Sequence, residues 1–280
     1  MATKKILDVL GLNISFGENK QETTVVHDID FSLYENEILA IVGESGSGKS
    51  VTSKAIMGLL SDKNIHIKGL INFEETSLLS LSSKEFAKLR GNDIAMIFQE
   101  PMTSLNPVLT IGYQIQEAIS VHESLNKVDL NNRVLELLKI VGIPVDRINS
   151  YPDELSGGQR QRVMIAMAIS CSPKLLIADE PTTALDVTVQ AQILDLLNDL
   201  KLKFEMTMLF ITHDFGVVED IADDVAVMFQ GEIVEQGSVA NVLKKPQHPY
   251  TRALLDCVPD AYGKKDLKPI DYAVLKELMG

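Results

Sequence analysis

Ile38-Leu39-Ala40-Ile41-Val42 runs directly into Gly43-Glu44-Ser45-Gly46-Ser47-Gly48-Lys49-Ser50. The first five residues are apolar and read as a buried strand. The next eight fit G-x-x-x-x-G-K-[ST], the pattern of a phosphate-binding loop. Val51 to Leu60 then places apolar residues at helical spacing. Strand, glycine loop and helix in succession form the context that such a loop requires. Backbone N–H groups have to approach phosphate oxygens closely, and Gly43, Gly46 and Gly48 carry no Cβ to prevent it. The helix adds unpaired N–H groups and the positive end of its dipole. Lys49 can reach the β- and γ-phosphates, and Ser50 can hold Mg²⁺. A glycine-rich turn that binds nothing is the bland alternative, and the flanking strand and helix weigh against it. The motif indicates a nucleoside triphosphate without separating kinase, GTPase, helicase and transporter.

Composition narrows the classes. A chain of 280 residues suggests one large or two small domains. A net charge of −13 argues against a broad nucleic-acid footprint, which needs clustered Lys and Arg. Two cysteines, Cys171 and Cys257, make neither a disulfide framework nor a zinc site by themselves. Cys171 adjoins an apolar helical stretch and reads as a small core residue, a usage that suits a reducing compartment. No apolar run approaches the roughly 18 residues that span a bilayer. Met1-Ala2-Thr3-Lys4-Lys5 lacks a following apolar region, so no secretory signal is expected. The expectation is a cytosolic protein that reaches a membrane only through a partner.

Residues 6 to 42 read as short strands, with turn signals at Gly17-Glu18-Asn19 and Glu35-Asn36. Phe16, well upstream of the glycine loop, could stack on a nucleobase or be core, and spacing alone favours core. Residues 65 to 73 read as a β segment broken at Gly69, and residues 83 to 90 as a helix with Ser82 or Ser83 as cap and Glu85 in its first turn. Ile94 to Phe98 is a buried strand ending at Gln99, at the strand end where α/β folds place ligand contacts. Pro101 to Pro107 reads as a loop. Helical periodicity runs from Ile111 to Ile140 with an interruption near Asn126, and Val134, Leu135, Leu138 and Val141 share a face. Gly142 and Pro144 stop it.

Leu155-Ser156-Gly157-Gly158-Gln159 precedes a helix. It offers a cap hydroxyl, bare backbone and a helix N-terminus, either a second anion site or a plain N-cap. Leu175 to Ala178 is a strand closing on Asp179-Glu180, two carboxylates expected to point to opposite sides of the strand end. Asp186 ends a loop before a helix from Val187 to Lys201. Met206 to Ile211 is a further strand, with His213 just beyond its end. Gln230-Gly231 signals a hairpin between Val225–Phe229 and Glu232–Glu235. Residues 238 to 244 read as a short helix. From Pro246 onward the composition shifts and reads as an appendage.

In this order the segments resemble the nucleotide-binding subunits of ABC transporters. The likeness runs from about residue 5 to about residue 255 and rests on Gly43–Ser50 (Walker A), Gln99 (Q-loop), Leu155–Gln159 (signature), Leu175–Glu180 (Walker B), Ala184-Leu185-Asp186 (D-loop) and His213 (H-loop). It implies an α/β fold: a RecA-like P-loop ATPase core, an antiparallel β subdomain and an inserted helical subdomain at about 101–170. The nucleotide-binding domain would span 5–245, and an extension 246–280.

Further implications follow from the same resemblance. Two such subunits bind head to tail, with ATP between residues 43–50 of one and the signature of the other. Phe16 stacks on adenine, where the family more commonly has Tyr. Glu180 orients or activates the attacking water. Ser50, Gln99 and Asp179 hold or surround Mg²⁺. His213 contacts the γ-phosphate, and Asp186 lines the interface.

Gln99 to Pro107 and His248 to Leu255 resemble the dipeptide, oligopeptide and nickel importer ATPases more narrowly. The function implied is ATP hydrolysis driving uptake of di- or oligopeptides, with nickel or a metal chelate as the alternative cargo. The expected partners are a second ATPase, a paralogue in preference to a second copy, two transmembrane permeases and an extracytoplasmic solute-binding protein. No nucleic acid is expected, and the subunit would sit peripherally on the cytoplasmic face of the membrane. Non-transport relatives fit worse. Lys49 and Ser156 stand too close in sequence for the long coiled coil of a DNA-repair ATPase, and a translation factor would carry two cassettes. Many importer relatives continue into a cysteine-bearing tail. Cys257 alone is present here, so no iron–sulfur cluster is carried over.

Overall fold

The computed structural model describes residues 4–18, 22–183 and 185–257. The chain opens with strands β1 (Lys5–Phe16), β2 (Thr23–Tyr34) and β3 (Ile38–Val42), helix α1 (Lys49–Ile56), and strands β4 (Ile65–Phe73) and β5 (Thr76–Ser77). Helix α2 (Ser83–Leu89), strand β6 (Ile94–Ile97) and helices α3 (Pro101–Ser104), α4 (Ile111–Ser120), α5 (Lys127–Ile140) and α6 (Gly157–Ala168) follow. Then come β7 (Leu175–Asp179), α7 (Val187–Phe204), β8 (Thr207–Thr212), α8 (Phe215–Ile221), β9 (Asp224–Phe229), β10 (Glu232–Ser238), α9 (Val239–Lys244) and α10 (Pro249–Asp256). Two compact units result. One comprises the described residues up to Leu79 and from Phe210 onward, and the other is Ser80–Leu209.

In the first unit β2, β1, β4 and β5 form an antiparallel sheet in that order. The early strands are longer than the sequence suggests. β4 is also continuous through Gly69, which marks a bulge and not a break. The pairing of β1 with β4 skips between Leu10↔Leu70 and Asn13↔Lys68. Gly69 has φ +105°, and a β-carbon there would lie 2.4 Å from the carbonyl oxygen of Gly11. Only glycine permits that approach of two backbones.

β3 pairs in parallel with β9, with Ala40 opposite Val225 and Val42 opposite Val227. All five β3 residues are buried, which explains the unbroken apolar run. β9 turns back into β10 through Gln230 and Gly231, with φ of +49° and +90°. Positive φ at both central residues is the tight hairpin turn whose twist matches the strands.

The second unit holds the helical stretch. Ile111, Ile115 and Ile119 of α4, Val134, Leu137 and Leu138 of α5, and Val163 and Ile165 of α6 are all fully buried. Leu137, not Leu135, completes the buried face of α5. Asn126 is the α5 cap, accepting from the N–H groups of Val128 and Asp129. The last turn of α5 is held by Arg162, whose guanidinium donates to the Val141 carbonyl at 2.8 Å. Pro101–Ser104, expected as loop, forms one helical turn. Ser82 and Glu85 make a reciprocal capping box on α2. Cys171 is half-buried, outside the core to which its neighbours assigned it.

Residues 246–257 are no loose appendage. Tyr250 of α10 is fully buried among Ala40, Val42, Phe229 and Val242. The His248 imidazole caps α10, accepting the Tyr250 N–H through Nδ1 at 3.2 Å. Glu235 of β10 accepts from the N–H groups of Gln247 at 2.7 Å and His248 at 3.0 Å. Burial holds the His248 pKa below its ordinary value, against the pull of Glu235. Burial pushes the Glu235 carboxyl up, but the N–H donors of Gln247 and His248 help hold it lower overall.

Both shifts act in one direction. A histidine whose folded pKa is depressed stabilises docking fully above its unfolded pKa of about 6.5, and loses that contribution as pH falls toward the folded value. Protonated Nδ1 also cannot accept the cap bond. Glu235 adds a second loss below about pH 4. Hydrogen exchange across 249–256, corrected for intrinsic rate, is therefore expected to lose protection as pH falls from about 6.5 to about 5. Flat protection over that interval would contradict the clasp.

Candidate functional site

The loop after β3 folds around its own lysine. Lys49 is buried, and its Nζ donates to the carbonyls of Gly43 at 2.7 Å and Glu44 at 2.8 Å. The Ser47 N–H closes the loop on the Glu44 carbonyl at 3.2 Å, and the Thr52 hydroxyl returns to the Gly48 carbonyl at 3.0 Å. The β9–β10 hairpin supports this loop from beneath. The Gly231 N–H donates to the Ser47 carbonyl at 3.0 Å, and the Gly231 carbonyl accepts from His27 of β2 at 2.8 Å.

The three glycines have different tasks. A β-carbon on Gly43 would lie 2.1 Å from the Met228 carbonyl oxygen, and one on Gly48 2.7 Å from the Met228 Cε and 3.2 Å from the Val25 carbonyl. Gly46, at φ +82°, would meet nothing within 4 Å. Ser45 and Gly46 thus form an open crest above a buried ammonium group, a cradle of the kind that accepts a phosphate chain. In the same unit, Phe16 ends β1 half-buried, so it is not the core residue its spacing suggests. His213 is exposed between β8 and α8. Its flanks are fixed by the Asp214 N–H on the Thr212 hydroxyl and by Asp214 accepting from Gly216. The sequence reading did not separate α8 as a helix.

The second unit carries the carboxylates. β6 and β7 pair in parallel with Ile97 opposite Ala178, a register that sets position 99 against position 180. Gln99 Nε2 donates to Glu180 Oε2 at 2.9 Å. The Thr183 hydroxyl donates to the same oxygen at 2.9 Å. Thr183 escaped the sequence reading, although it stands three residues beyond Glu180 in a tight turn. Asp179 ends β7 buried, at 3% exposure. Glu180 does not continue the strand alternation expected of it. Its φ is +49°, so the chain leaves the sheet there. A non-glycine residue held in that region is strained, and such strain collects at functional positions.

Ser156 caps α6, accepting from the Gln159 N–H at 3.3 Å, and Gln159 returns the bond to the Ser156 N–H at 3.0 Å. A β-carbon on Gly158 would lie 2.6 Å from Val189 Cγ1, so this glycine lets α6 approach α7. Asp186 caps α7 by accepting from Val189 at 2.9 Å. Leu155 is buried, while Ser156, Gly157 and Asp186 are exposed. Ala184, beside them in sequence, lies outside the described residues. Gln114, also missed, is buried and holds the segment after Gln99 in place, accepting from the Asn106 N–H and donating to the Asn106 and Leu109 carbonyls. The hydroxyl of Ser50, the carboxamide of Gln99 and the carboxylate of Asp179 are hard oxygen donors, the chemistry that Mg²⁺ takes.

Residues 26–183 match the family model described as ABC transporter. The chain belongs to the ABC transporter family. Residues 234–278 match a second model, described as the oligopeptide/dipeptide transporter C-terminal region. The dipeptide transport ATP-binding protein DppD of Haemophilus influenzae is 52% identical over 96% of this chain and 82% of its own length. The oligopeptide transport ATP-binding protein OppD of Bacillus subtilis is 51% identical over 95% of this chain and 76% of its own. Among solved structures, the dimeric ATP-binding cassette MJ0796, bound to ADP and Pi in a post-hydrolysis state, aligns at TM-score 0.74 and 26% identity. That alignment covers 84% of this chain and 99% of the cassette. A second, cbiO1 of Clostridium perfringens, aligns at TM-score 0.75 and 29% identity over 86% and 92%. This is the RecA-like ABC ATPase fold, and the chain is an ATP-binding subunit that hydrolyses ATP.

The glycine geometry makes a comparative prediction for this ABC subunit. Gly43→Ala drives a β-carbon into a backbone oxygen, so ATP affinity is expected to fall more than about tenfold, from strain on the order of 1–3 kcal/mol. Gly46→Ala meets open space and pays only for its backbone angle, so its loss is smaller. Equilibrium nucleotide titration checks the order, and equal losses would refute the steric argument.

Proposed function

We propose that this chain is the ATPase subunit of an ABC importer of di- and oligopeptides, attached to the membrane through permease subunits. The observation that carries the peptide reading is the match of residues 234–278 to the oligopeptide/dipeptide transporter C-terminal region. The relatives named for dipeptide and oligopeptide transport support it. Nickel has no observation of its own in its favour. Among the described residues no helix is long and apolar enough to cross a membrane, so attachment falls to partner subunits.

In this reading the catalytic base is Glu180. Its Oε2 takes two donors, from Gln99 and Thr183, and these fix the plane of the carboxylate toward an attacking water. Lys49 and the N–H groups of residues 43–50 hold the phosphates. Ser50, Gln99 and Asp179 would hold Mg²⁺, whose chemistry there would be to neutralise charge on the phosphates. His213 addresses the γ-phosphate, and Phe16 the adenine. The exposed Ser156 and Gly157 at the start of α6 present a cap hydroxyl and helix N-terminus to the ATP of a facing subunit, beside Asp186. The dimeric cassette MJ0796 supports pairing of this kind. A paralogous ATPase is the preferred partner, and a solute-binding protein would deliver the peptide.

Three experiments test this. Glu180→Gln in the assembled complex is expected to keep ATP binding and to lower turnover by about 10²- to 10⁴-fold. Thr183→Ala should lower kcat by about two- to tenfold without changing ATP affinity, as one orienting hydrogen bond is lost, and Thr183→Ser should restore it. Normal turnover in Glu180→Gln would end the assignment of the base. In a strain lacking this chain, uptake of labelled di- and oligopeptides should be lost with nickel accumulation unchanged. Unimpaired peptide uptake with lost nickel accumulation would transfer the cargo to the metal.

A further inference from the structure

Four consecutive residues, His248-Pro249-Tyr250-Thr251, stand far from the nucleotide motifs in sequence and take no part in ATP chemistry as derived above. Their structure gives them one. His248 caps α10, and Glu235 holds the approach to it through the Gln247 and His248 N–H groups. Thr251 is completely buried beneath. The clasp delivers Tyr250 into the first unit's core, with its ring 4.1 Å from that of Phe229, centroid to centroid. There the Tyr250 hydroxyl accepts the N–H of Glu44 at 3.2 Å.

Glu44 N–H belongs to the peptide group that also contains the Gly43 carbonyl, and that carbonyl accepts Lys49 Nζ at 2.7 Å. One peptide plane is therefore held at both ends, by the loop lysine on its oxygen and by Tyr250 on its nitrogen. The next carbonyl, of Glu44, takes Lys49 again and the Ser47 N–H. A peptide plane fixed at one end alone can rock about its Cα–Cα axis, and the ammonium group bonded to it would move with it. Fixed at both, it holds Lys49 at a set position under the open crest of Ser45 and Gly46. Van der Waals contact with Phe229 fixes the ring, and ring and clasp together aim the hydroxyl.

We propose that Tyr250 is a positioning residue for the phosphate-binding loop, so that docking of α10 and binding of ATP reinforce each other. Two consequences follow. Loss of the hydroxyl weakens ATP binding although the residue lies more than two hundred positions from the loop in sequence, |i−j| being 206 for its bond to Glu44. Coupling is also reciprocal: whatever α10 contributes to ATP affinity, ATP returns as protection of α10. The proposal rests on residues 43–50 being the ATP-binding loop.

The test compares Tyr250→Phe with Tyr250→Leu in the full chain. Tyr250→Phe keeps the ring on Phe229 and removes only the hydroxyl. Its dissociation constant for ATP is expected to rise by about two- to tenfold, the range for one lost hydrogen bond, with a thermal midpoint without nucleotide close to that of the unsubstituted chain. Tyr250→Leu also strips the ring contact and should lower the midpoint clearly. In the unsubstituted chain, ATP should slow hydrogen exchange across 249–256, and in Tyr250→Phe that slowing should shrink. ATP affinity unchanged in Tyr250→Phe, or exchange across 249–256 indifferent to ATP in the unsubstituted chain, overturns the proposal. So does a midpoint loss in Tyr250→Phe as large as in Tyr250→Leu, since the residue would then act only through packing. Failure of the unsubstituted chain to bind ATP at all would overturn the loop assignment itself, and this inference with it.

Discussion

The Met228 carbonyl oxygen stands where a β-carbon of residue 43 would be, 2.1 Å from it. Strand β9 thus presses against the start of the phosphate loop, and the rest of the first unit is arranged around that approach. β3 reaches it by pairing in parallel with β9. The hairpin that follows β9 turns at Gln230 and Gly231, and its Gly231 N–H supports the loop at Ser47. Gly48 repeats the constraint against the Met228 side chain and the backbone of β2. Buried Lys49 fills what the glycines leave, bonded to the two carbonyls that open the loop. A loop without side chains at these points has no packing of its own. Its shape comes from neighbours, and Tyr250 is one of them.

The second unit solves a different problem, which is to hold a carboxylate still at the end of a strand. The parallel register of β6 and β7 brings Gln99 level with Glu180. A left-handed turn at Glu180 takes the chain out of the sheet, and Thr183 folds back to the same oxygen that Gln99 holds. The backbone strain there costs on the order of 1–3 kcal/mol. β7, whose five residues are all buried, supplies the support against which such strain persists.

Legibility in the sequence followed the reach of each signal. The loop at 43–50, a cap at Ser82 or Ser83 with Glu85 in the first turn, the helix interruption near Asn126 and the hairpin at 230–231 were readable, because each is decided within a few residues. That Asn126 is itself a cap, and that Ser82 and Glu85 cap each other, came from the structure. The bulge at Gly69 looked like a break, because its cause is the backbone of Gly11 on another strand. The length of β1 and β2 was hidden for the same reason: pairing partners, not local propensity, extend them. Leu137 in place of Leu135 on the buried face of α5 reflects which neighbours cover the helix, and hydrophobicity does not distinguish two leucines. Thr183, Gln114 and Tyr250 act through contacts set by turns and docking. Tyr250 was inside a stretch that the sequence reading did single out, but composition made that stretch look like an appendage. The roles proposed for Glu180, His213 and the signature segment rest on family resemblance, since spacing alone left a plain N-cap at Ser156 and an ordinary strand end at Glu180.

The central claim is a composite site, in which the loop of one subunit and the exposed start of α6 on another share one ATP. A structure of the assembled importer carrying Glu180→Gln, trapped with ATP and Mg²⁺, tests it most directly. The account predicts the triphosphate between residues 43–50 of one ATPase subunit and residues 156–159 of the facing subunit, with position 180 beside the γ-phosphate. Nucleotide bound at residues 43–50 with residues 156–159 of both subunits directed elsewhere, in a complex whose unsubstituted form turns over normally, would contradict it.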